Sequence, residues 1–305
     1  MSGKILITGG SGLVGMRLSE MLIDLGYEVA HLSRNPDKIT KYKAFKWDFK
    51  DDFIDDSAIT YADYIIHLAG ANVGDEKWTE DRKKEIYYSR VKGSDLLYRC
   101  LKESKHHVKA LISASGISIY GNSGEQLVSE ESTYADDFLA DVCKVWEAGV
   151  WKINELGIRI VILRLGIVLS RNGGALPQMA LPMKLMAGAP LGSGRQYMSW
   201  IHIDDLCRIF IKAMEDRQME GVYNAVAPHP VTNKEFMQEL SEVMHRPLVL
   251  PKVPAFAINF MFGEKSEVVL VSQRVSANKI MHTGFTFEYN YLKEALESLY
   301  GHDND

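Results

Sequence analysis

The chain has 305 residues, of which 46% are hydrophobic and 25% charged, and its net charge at pH 7 is -5. This balance is typical of a globular protein with a substantial core, and the acidic net charge argues against a general nucleic-acid-binding surface. No stretch approaches the roughly 18 consecutive apolar residues of a membrane span. The three cysteines, Cys100, Cys143 and Cys207, have no metal-binding spacing and suit a reducing compartment. We therefore expect a cytoplasmic protein without a secretory leader, metal site, membrane segment or nucleic-acid partner.

Strands and helices alternate along the first 165 residues. The apolar run Lys4–Thr8 predicts a buried strand, and apolar residues at helical spacing from Val14 to Leu25 predict a helix that ends at Gly26. Further strands are predicted at Glu28–Ser33, 44–47, Tyr64–Ala69, Lys109–Ser113 and Arg159–Leu165, and helices before Leu101 and at Asp137–Leu156. This alternation predicts an α/β fold with a Rossmann-type, doubly wound parallel sheet.

The pattern changes after about residue 170. Glycine and proline interrupt residues 173–194, and three prolines fall within residues 247–254. We expect an NAD(P)-binding Rossmann domain at residues 1–170 and a smaller α+β substrate domain at residues 171–305. We also expect the two to be interlaced.

A glycine-rich turn joins the first predicted strand to the first helix. Residues 8–15 read Thr-Gly-Gly-Ser-Gly-Leu-Val-Gly, which fits both G-x-x-G-x-x-G and G-x-G-x-x-G. In this position glycines permit a tight turn and let backbone amides approach a dinucleotide pyrophosphate at a helix N-terminus. A flexible turn without function is the alternative. The cofactor contacts predicted here are Gly9, Gly12, Leu13, Val14 and Gly15.

The end of the second predicted strand distinguishes between cofactors. An acidic residue there would hold the ribose 2′-hydroxyl of NAD, but the strand ends in Leu32-Ser33-Arg34. Arg34 suits a 2′-phosphate through charge-assisted hydrogen bonds, and Ser33 adds a hydroxyl donor. The sequence therefore predicts NADP(H), with a solvated surface arginine as the alternative.

Three further motifs follow predicted strands. Residues His67–Gly70 match an N-A-G type motif, Ser113–Gly121 resembles S-S-x-x-V-Y-G, and Ser199–Asp205 resembles F-V-H-V-D-D. Together they make the chain similar to the extended, sugar-nucleotide-epimerase-like branch of the short-chain dehydrogenase/reductase superfamily. More narrowly, an atypical NAD-dependent epimerase family with its own C-terminal domain of unknown function is indicated by Lys77-Trp78, Ser89-Arg90-Val91, Trp146-Glu147 and Ser272–Val275.

The resemblance implies cofactor contacts beyond the glycine turn and the Ser33-Arg34 pair. These are Leu68, Ala69, Gly70, Glu85, Arg90 and Val168. Leu68 to Gly70 would offer backbone along the cofactor, and Val168 would contact the nicotinamide side. Glu85 and Arg90 are five residues apart, on neighbouring helix faces, and a charged helix surface is their alternative reading. Arg90 stands where extended members usually carry asparagine.

The resemblance also exposes a departure from the usual chemistry. The superfamily uses a Tyr-x-x-x-Lys pair on the helix after the fifth strand, with tyrosine as the acid or base. Aligned on Glu147, this chain has Leu139 at the tyrosine position and Cys143 at the lysine position. Tyr134 and Lys144 are the nearby alternatives. We therefore predict that the tyrosine-based mechanism does not operate.

Ser115 is the candidate catalytic residue, because it could supply a hydroxyl that orients a substrate carbonyl. A strand-end serine bonded to backbone is its alternative. His202 and Asp204 could also suggest acid–base chemistry, but the stronger interpretation is that Asp204 or Asp205 caps the next helix. Trp78, Tyr120 and Trp200 are either pocket-lining or core aromatics. We expect an NADP(H)-dependent oxidoreductase or epimerase acting on a small carbonyl or sugar-like substrate. The alternatives left open are an NADPH-binding regulatory or scaffold protein without turnover and, for oligomeric state, a homodimer.

Overall fold

The computed structural model describes residues 3–49, 51–74 and 76–301. Its strands are β1 Lys4–Thr8, β2 Glu28–Ser33, β3 Lys43–Asp48, β4 Phe53–Ile54, β5 Tyr64–His67, β6 Ala110–Gly116, β7 Leu127–Val128, β8 Arg159–Leu165, β9 Ile167–Leu169, β10 Tyr197–Met198, β11 Trp200–His202, β12 Gly221–Ala225, β13 Val231–Thr232 and β14 Arg274–Val275. Its α-helices are α1 Leu13–Asp24, α2 Asp56–Tyr61, α3 Glu80–Glu103, α4 Phe138–Trp151, α5 Ala175–Lys184, α6 Ile203–Glu215, α7 Asn233–Val243, α8 Ala255–Phe262, α9 Ser266–Leu270, α10 Asn278–His282 and α11 Leu292–Tyr300.

Eight strands form one sheet in the order β12-β8-β6-β5-β1-β2-β3-β4. The neighbouring pairs are parallel except β3 and β4, which are antiparallel. From β1 the chain adds β2 and β3 on one side, and then returns to the other side of β1 with β5. The carboxyl ends of β1 and β5 therefore flank the point where strand order reverses, which is where open α/β sheets bind their ligands. The predicted α/β fold with a parallel sheet is confirmed.

Two predicted elements end differently in the structure. β5 ends at His67 rather than Ala69, because the backbone N–H groups of Leu68 and Ala69 both donate to Thr8 Oγ1 at 3.1 Å. The helix predicted from Asp137 begins there, since the Asp137 carboxylate accepts the N–H of Ala140 as an N-cap. Its last turn, residues 152–156, tightens into a 3₁₀-helix.

The buried apolar side chains form two clusters. The larger contains side chains of the eight-stranded sheet and of α1, α2, α3, α4 and α6. The smaller lies among α5, α7 and α11 in the second half of the chain. Because the outer strand β12 comes from residues 221–225, the sheet includes chain from beyond residue 170, and the domain division there stays a prediction. No helix in the described part of the chain is long and apolar enough to cross a membrane.

Candidate functional site

The glycine turn lies at the carboxyl end of β1 and is shaped by close backbone contacts. Gly9 has φ +70°, and a Cβ there would lie 2.9 Å from the Leu68 carbonyl carbon. A Cβ on Gly15 would lie 2.6 Å from the Gly9 oxygen, so α1 can pack against the turn only with glycine there. Gly9 and Gly15 are thus required by the fold itself.

Gly12 differs from its two neighbours in the motif. Its φ of -78° and ψ of 172° suit any residue, and a Cβ would meet just one described atom within 4 Å, the Gly9 oxygen at 3.2 Å. Gly12 is also the N-cap of α1, which has neither a side-chain cap nor an acidic residue in its first turn. Open space beside an uncapped helix N-terminus fits a pyrophosphate, which the first-turn amides would hold.

Leu13 and Val14 open α1, and Leu13 also contacts the second half of the chain. A Cβ on Gly173 or Gly174 would lie 3.4 Å from the Leu13 side chain, and one on Gly174 would lie 3.6 Å from the Val168 oxygen. Val168 lies in β9 opposite Ile201 of β11. The structure therefore brings the segment that follows β9 against the glycine turn, close to two of the predicted cofactor contacts.

Thr8 and His67 hold the loop after β5 against the glycine turn. Thr8 Oγ1 accepts the Leu68 and Ala69 N–H groups and lies 2.7 Å from His67 Nδ1. Burial, with the nearby charge of Arg90, lowers the pKa of His67 to about 3, so its imidazole is neutral. Since Oγ1 already accepts two hydrogens, we assign its own proton to the bond with Nδ1. Sequence reasoning missed this role of Thr8 and His67, although a buried polar pair on adjacent predicted strands was a usable signal.

Arg90 lies against the loop after β5, whereas Glu85 faces solvent. A Cβ on Gly70 would lie 2.9 Å from the Arg90 guanidinium carbon, which stacks 4.8 Å from the Trp146 ring. Arg90 donates to the backbone oxygens of Ala71 and Ile86, and burial lowers its pKa to about 10, so it remains a cation at neutral pH. The Glu85 side chain is 45% exposed and forms an ion pair with Arg82 at 2.5 Å.

Ser33 is the last residue of β2 and Arg34 follows it, at the same edge of the sheet. Ser33 Oγ accepts the backbone N–H of Asn35 at 3.1 Å, and the Arg34 side chain is exposed. The backbone oxygen of Arg34 accepts a hydrogen bond from Lys46 Nζ at 2.6 Å. The predicted 2′-phosphate contacts thus lie together where β2 ends.

Ser115 belongs to a buried polar network at the carboxyl ends of β6 and β8. Its Oγ donates to Glu147 Oε1 at 2.6 Å, and Arg164 donates to both Glu147 oxygens at 2.8 Å. Arg164 is 0% exposed and also donates to the hydroxyls of Tyr120 and Tyr134 at 2.8 and 2.9 Å. Although burial opposes it, the hydrogen bonds and charge of Glu147 raise the pKa of Arg164, so this cation is permanent. The proton of Ser115 is therefore directed at Glu147.

Sequence reasoning did not identify Arg164 as the centre of this network. A charged residue inside the apolar strand Arg159–Leu165 was the available signal, because a buried arginine requires a carboxylate partner. The register places Arg164 between Ser115 on β6 and Asn224 on β12.

Cys143 and Lys144 lie on different sides of α4. Cys143 lies one turn earlier on the same helix face, where a Cβ on Gly116 would be 3.5 Å from its sulfur. Burial, with the nearby charge of Glu147, raises the pKa of the Cys143 thiol to about 11, so the position is uncharged at neutral pH. Lys144 instead lies toward solvent and pairs with Asp136 and Asp141. Lys144 therefore lies apart from the buried network of Ser115 and Glu147.

The three aromatic residues that could line a pocket differ in how far they are buried. Trp200 is fully buried in the smaller apolar cluster and Tyr120 in the larger one, so both are core residues. Trp78 is half-buried, donates its indole N–H to the Val73 oxygen, and meets Phe138 at the start of α4 edge-on, with ring centroids 5.3 Å apart. Of the three aromatic residues, Trp78 therefore lies near the loop after β5.

The polar side chains of the segment Ser199–Asp205 form hydrogen bonds within the protein. We predicted that Asp204 or Asp205 caps the next helix, and this was wrong. The N-cap of α6 is His202, whose Nδ1 accepts the Asp204 N–H at 3.1 Å. Asp204 instead pairs with Arg17 of α1, and buried Asp205 accepts the backbone N–H groups of residues 288 and 289. Within residues 3–49, 51–74 and 76–301, no three His, Cys, Asp or Glu side chains are grouped as metal ligands.

Comparisons with known proteins agree with this geometry. Residues 5–225 match the NAD dependent epimerase/dehydratase family, and residues 253–299 match a domain of unknown function, DUF1731. Epimerase family protein YfhF of Bacillus subtilis is 36% identical over 300 residues, covering 97% of each chain. Epimerase family protein SDR39U1 of Mus musculus is 34% identical over 302 residues, covering 97% of this chain and 99% of the mouse protein. The crystal structure of human epimerase family protein SDR39U1 (isoform 2) with NADPH has a TM-score of 0.88 and 29% identity, covering 98% of this chain and 99% of the human one.

Proposed function

Because the chain belongs to the NAD dependent epimerase/dehydratase family, we propose that it binds NADP(H) and acts as an oxidoreductase or epimerase on a small carbonyl or sugar-like substrate. The observation that carries this proposal is the open space beside Gly12 at the switch point of the sheet, where Ser33-Arg34 lies at the carboxyl end of the neighbouring parallel strand β2. The human relative crystallised with NADPH supports the choice of cofactor. A bound nicotinamide would supply or accept a hydride.

Different residues of the chain would bind different parts of the cofactor. The first-turn amides of α1 would hold the diphosphate beside Gly12, and Arg34 with Ser33 would hold the 2′-phosphate. The loop 68–70, fixed by Thr8, offers backbone along the cofactor. Arg90 brings a positive charge to the same loop. These residues would hold the dinucleotide at the edge of the sheet where the parallel strands β6 and β8 also have their carboxyl ends.

Acid–base chemistry at this end does not come from the usual pair, because Leu139 has no ionisable group and Cys143 is an uncharged thiol. Ser115 is the hydroxyl that we propose for orienting a substrate carbonyl. Its proton is donated to Glu147, so it must turn from that carboxylate before it can donate to a carbonyl. Turnover by this route is expected to be slow, since general acid–base catalysis contributes about 10²–10⁴-fold.

The second candidate is an NADPH-binding regulatory or scaffold protein without turnover. The observation that favours it is the composition of α4. Leu139 and Cys143 occupy the positions that we align with the superfamily's proton-donating tyrosine and its lysine. This candidate needs the cofactor site but not the Ser115 hydroxyl. The two proposals therefore differ in what they require of Ser115.

The deciding experiment combines NADPH binding by titration calorimetry with two turnover assays. One follows NADPH oxidation against a panel of carbonyls, and the other follows epimerisation of nucleotide sugars by NMR with NADP+ present, because an epimerase returns the hydride and consumes no cofactor. Turnover that Ser115→Ala abolishes while binding is kept would support the oxidoreductase. Binding without turnover across the panel would support the scaffold, and absence of NADPH binding would refute both. An ordinary rate of roughly 1–10³ s⁻¹ that is lost in Tyr134→Phe would instead assign proton transfer to the Tyr134 hydroxyl, which is held by Arg164.

We further propose that the protein is cytoplasmic and takes a small-molecule substrate, with no nucleic-acid or membrane partner. The three unpaired cysteines and the net charge of -5 support this. Fractionation of cells, together with light scattering after size-exclusion chromatography to test for a homodimer, would check these points.

A further inference from the structure

Lys46 lies beside the end of β2 although it is twelve residues away from Arg34 in the chain. In the parallel register of β2 and β3, Lys46 is the partner of Ser33. Its Nζ donates to the Arg34 backbone oxygen at 2.6 Å. The ammonium group is thereby fixed at the junction of Ser33 and Arg34.

Arg34 and Lys46 bring two cationic side chains to this junction, and the Lys46 ammonium contacts the Arg34 backbone. Neither Arg34 nor Lys46 forms an ion pair with a carboxylate of the described residues, and the Arg34 side chain is exposed. Lysine has three N–H donors, and the bond to the Arg34 oxygen uses one of them. The junction therefore holds spare donors and an uncompensated charge of the sign that attracts an anion.

We propose that Lys46 is a second cationic ligand of the adenosine 2′-phosphate and sets the preference for NADPH over NADH together with Arg34. This rests on the proposed NADP(H) binding. A phosphate monoester carries nearly two negative charges and three acceptor oxygens, more than a single guanidinium neutralises. Arg34 offers planar, paired donors and Lys46 a compact point charge, so the two complement each other on one phosphate.

The test measures NADPH and NADH affinities by titration calorimetry for the wild type, Lys46→Met and Lys46→Arg. Lys46→Met keeps most of the aliphatic stem and removes the charge. We expect it to weaken NADPH binding about tenfold or more, the effect of one charged hydrogen bond, while NADH binding stays the same. Lys46→Arg should restore most of the preference, and the salt dependence of NADPH binding should be shallower in Lys46→Met.

Lys43 on the same strand provides the matched control. Its Nζ lies over the rings of Phe45 and Tyr61, at 4.8 and 4.5 Å, and its register partner is Ala30 in the middle of β2, three residues before Ser33. Lys43→Met removes the same charge from the same strand, so both affinities should match the wild type. An equal loss of NADPH affinity in Lys43→Met and Lys46→Met would mean a general charge effect and would overturn the proposal.

Three other results would overturn it in distinguishable ways. If the wild type prefers NADPH and Lys46→Met keeps that preference, Lys46 is not a phosphate ligand and the proposed function stands. If Lys46→Met weakens both cofactors equally, Lys46 acts only by holding the Arg34 carbonyl. A wild type with equal affinity for NADPH and NADH would refute the NADP(H) preference itself.

Discussion

Replacing Gly12 with valine separates cofactor binding from folding. The backbone at residue 12 is extended and accepts a side chain, and the first added carbon would lie 3.2 Å from the Gly9 oxygen, which a shift of a few tenths of an ångström relieves. Valine is a poor N-cap, so the apo protein should lose about 1 kcal/mol of unfolding free energy. The valine methyl groups would fill the space that we assign to the pyrophosphate, so NADPH binding should disappear.

A thermal-shift assay measures both effects. NADPH at about 100 times its Kd should stabilise the wild type by about 2.7 kcal/mol, which corresponds to roughly 5–10 °C at about 2–4 °C per kcal/mol. Gly12→Val should keep an apo Tm within a few degrees of wild type and show no shift. Gly15→Val is the contrasting variant, because its Cβ would lie 2.6 Å from the Gly9 oxygen and 2.7 Å from Gly10 Cα, so it should unfold much earlier. A full NADPH shift in Gly12→Val would refute the assignment of this turn as the phosphate site.

Three further results are expected. Arg34→Ala should weaken NADPH binding roughly ten- to a hundredfold, the equivalent of about 1.5–3 kcal/mol for a charged hydrogen bond, and leave NADH binding nearly unchanged in titration calorimetry; a parallel loss for NADH would contradict the assignment. Glu147→Gln should lower the urea-unfolding free energy by about 3–5 kcal/mol because it leaves the Arg164 charge buried, and Glu147→Gln with Arg164→Met should recover part of it. Burial lowers the pKa of His31 to about 4 and that of His67 to about 3, so the native state takes up fewer protons and stability should fall as pH drops below about 6.5. The loss between pH 7 and pH 5 should be smaller in His31→Gln, and an unchanged loss would count against this explanation.

Features set by local sequence were predictable. The glycine turn could be located because a strand, a spaced set of glycines and an amphipathic helix follow each other within 25 residues. The strand Arg159–Leu165 could be predicted to the residue, since its apolar run is bounded by Gly157 and Gly166. The absence of the Tyr-x-x-x-Lys pair was also visible, because Glu147 fixes the helix face.

Features set by long-range contacts were not predictable. The proximity of Lys46 to Arg34 depends on the register of β2 and β3, which neither segment determines alone. The bond from Arg164 to Tyr134 joins a loop to a strand thirty residues later. The N-cap of α6 was predicted wrongly because aspartate is a commoner N-cap than histidine. In the structure Asp204 forms an ion pair with Arg17, and His202 is the cap.

The origin of β12 limits how this protein can be divided. A fragment that ends at residue 170 would lack Gly221–Ala225, and the backbone N–H and C=O groups that β8 shares with it would be left unpaired. β8 is a seven-residue strand in which five residues are apolar, and an open edge of that kind is a template for pairing with another copy. The isolated cofactor-binding half should therefore tend to aggregate, whereas a fragment extended through Ala225 would retain the covering strand.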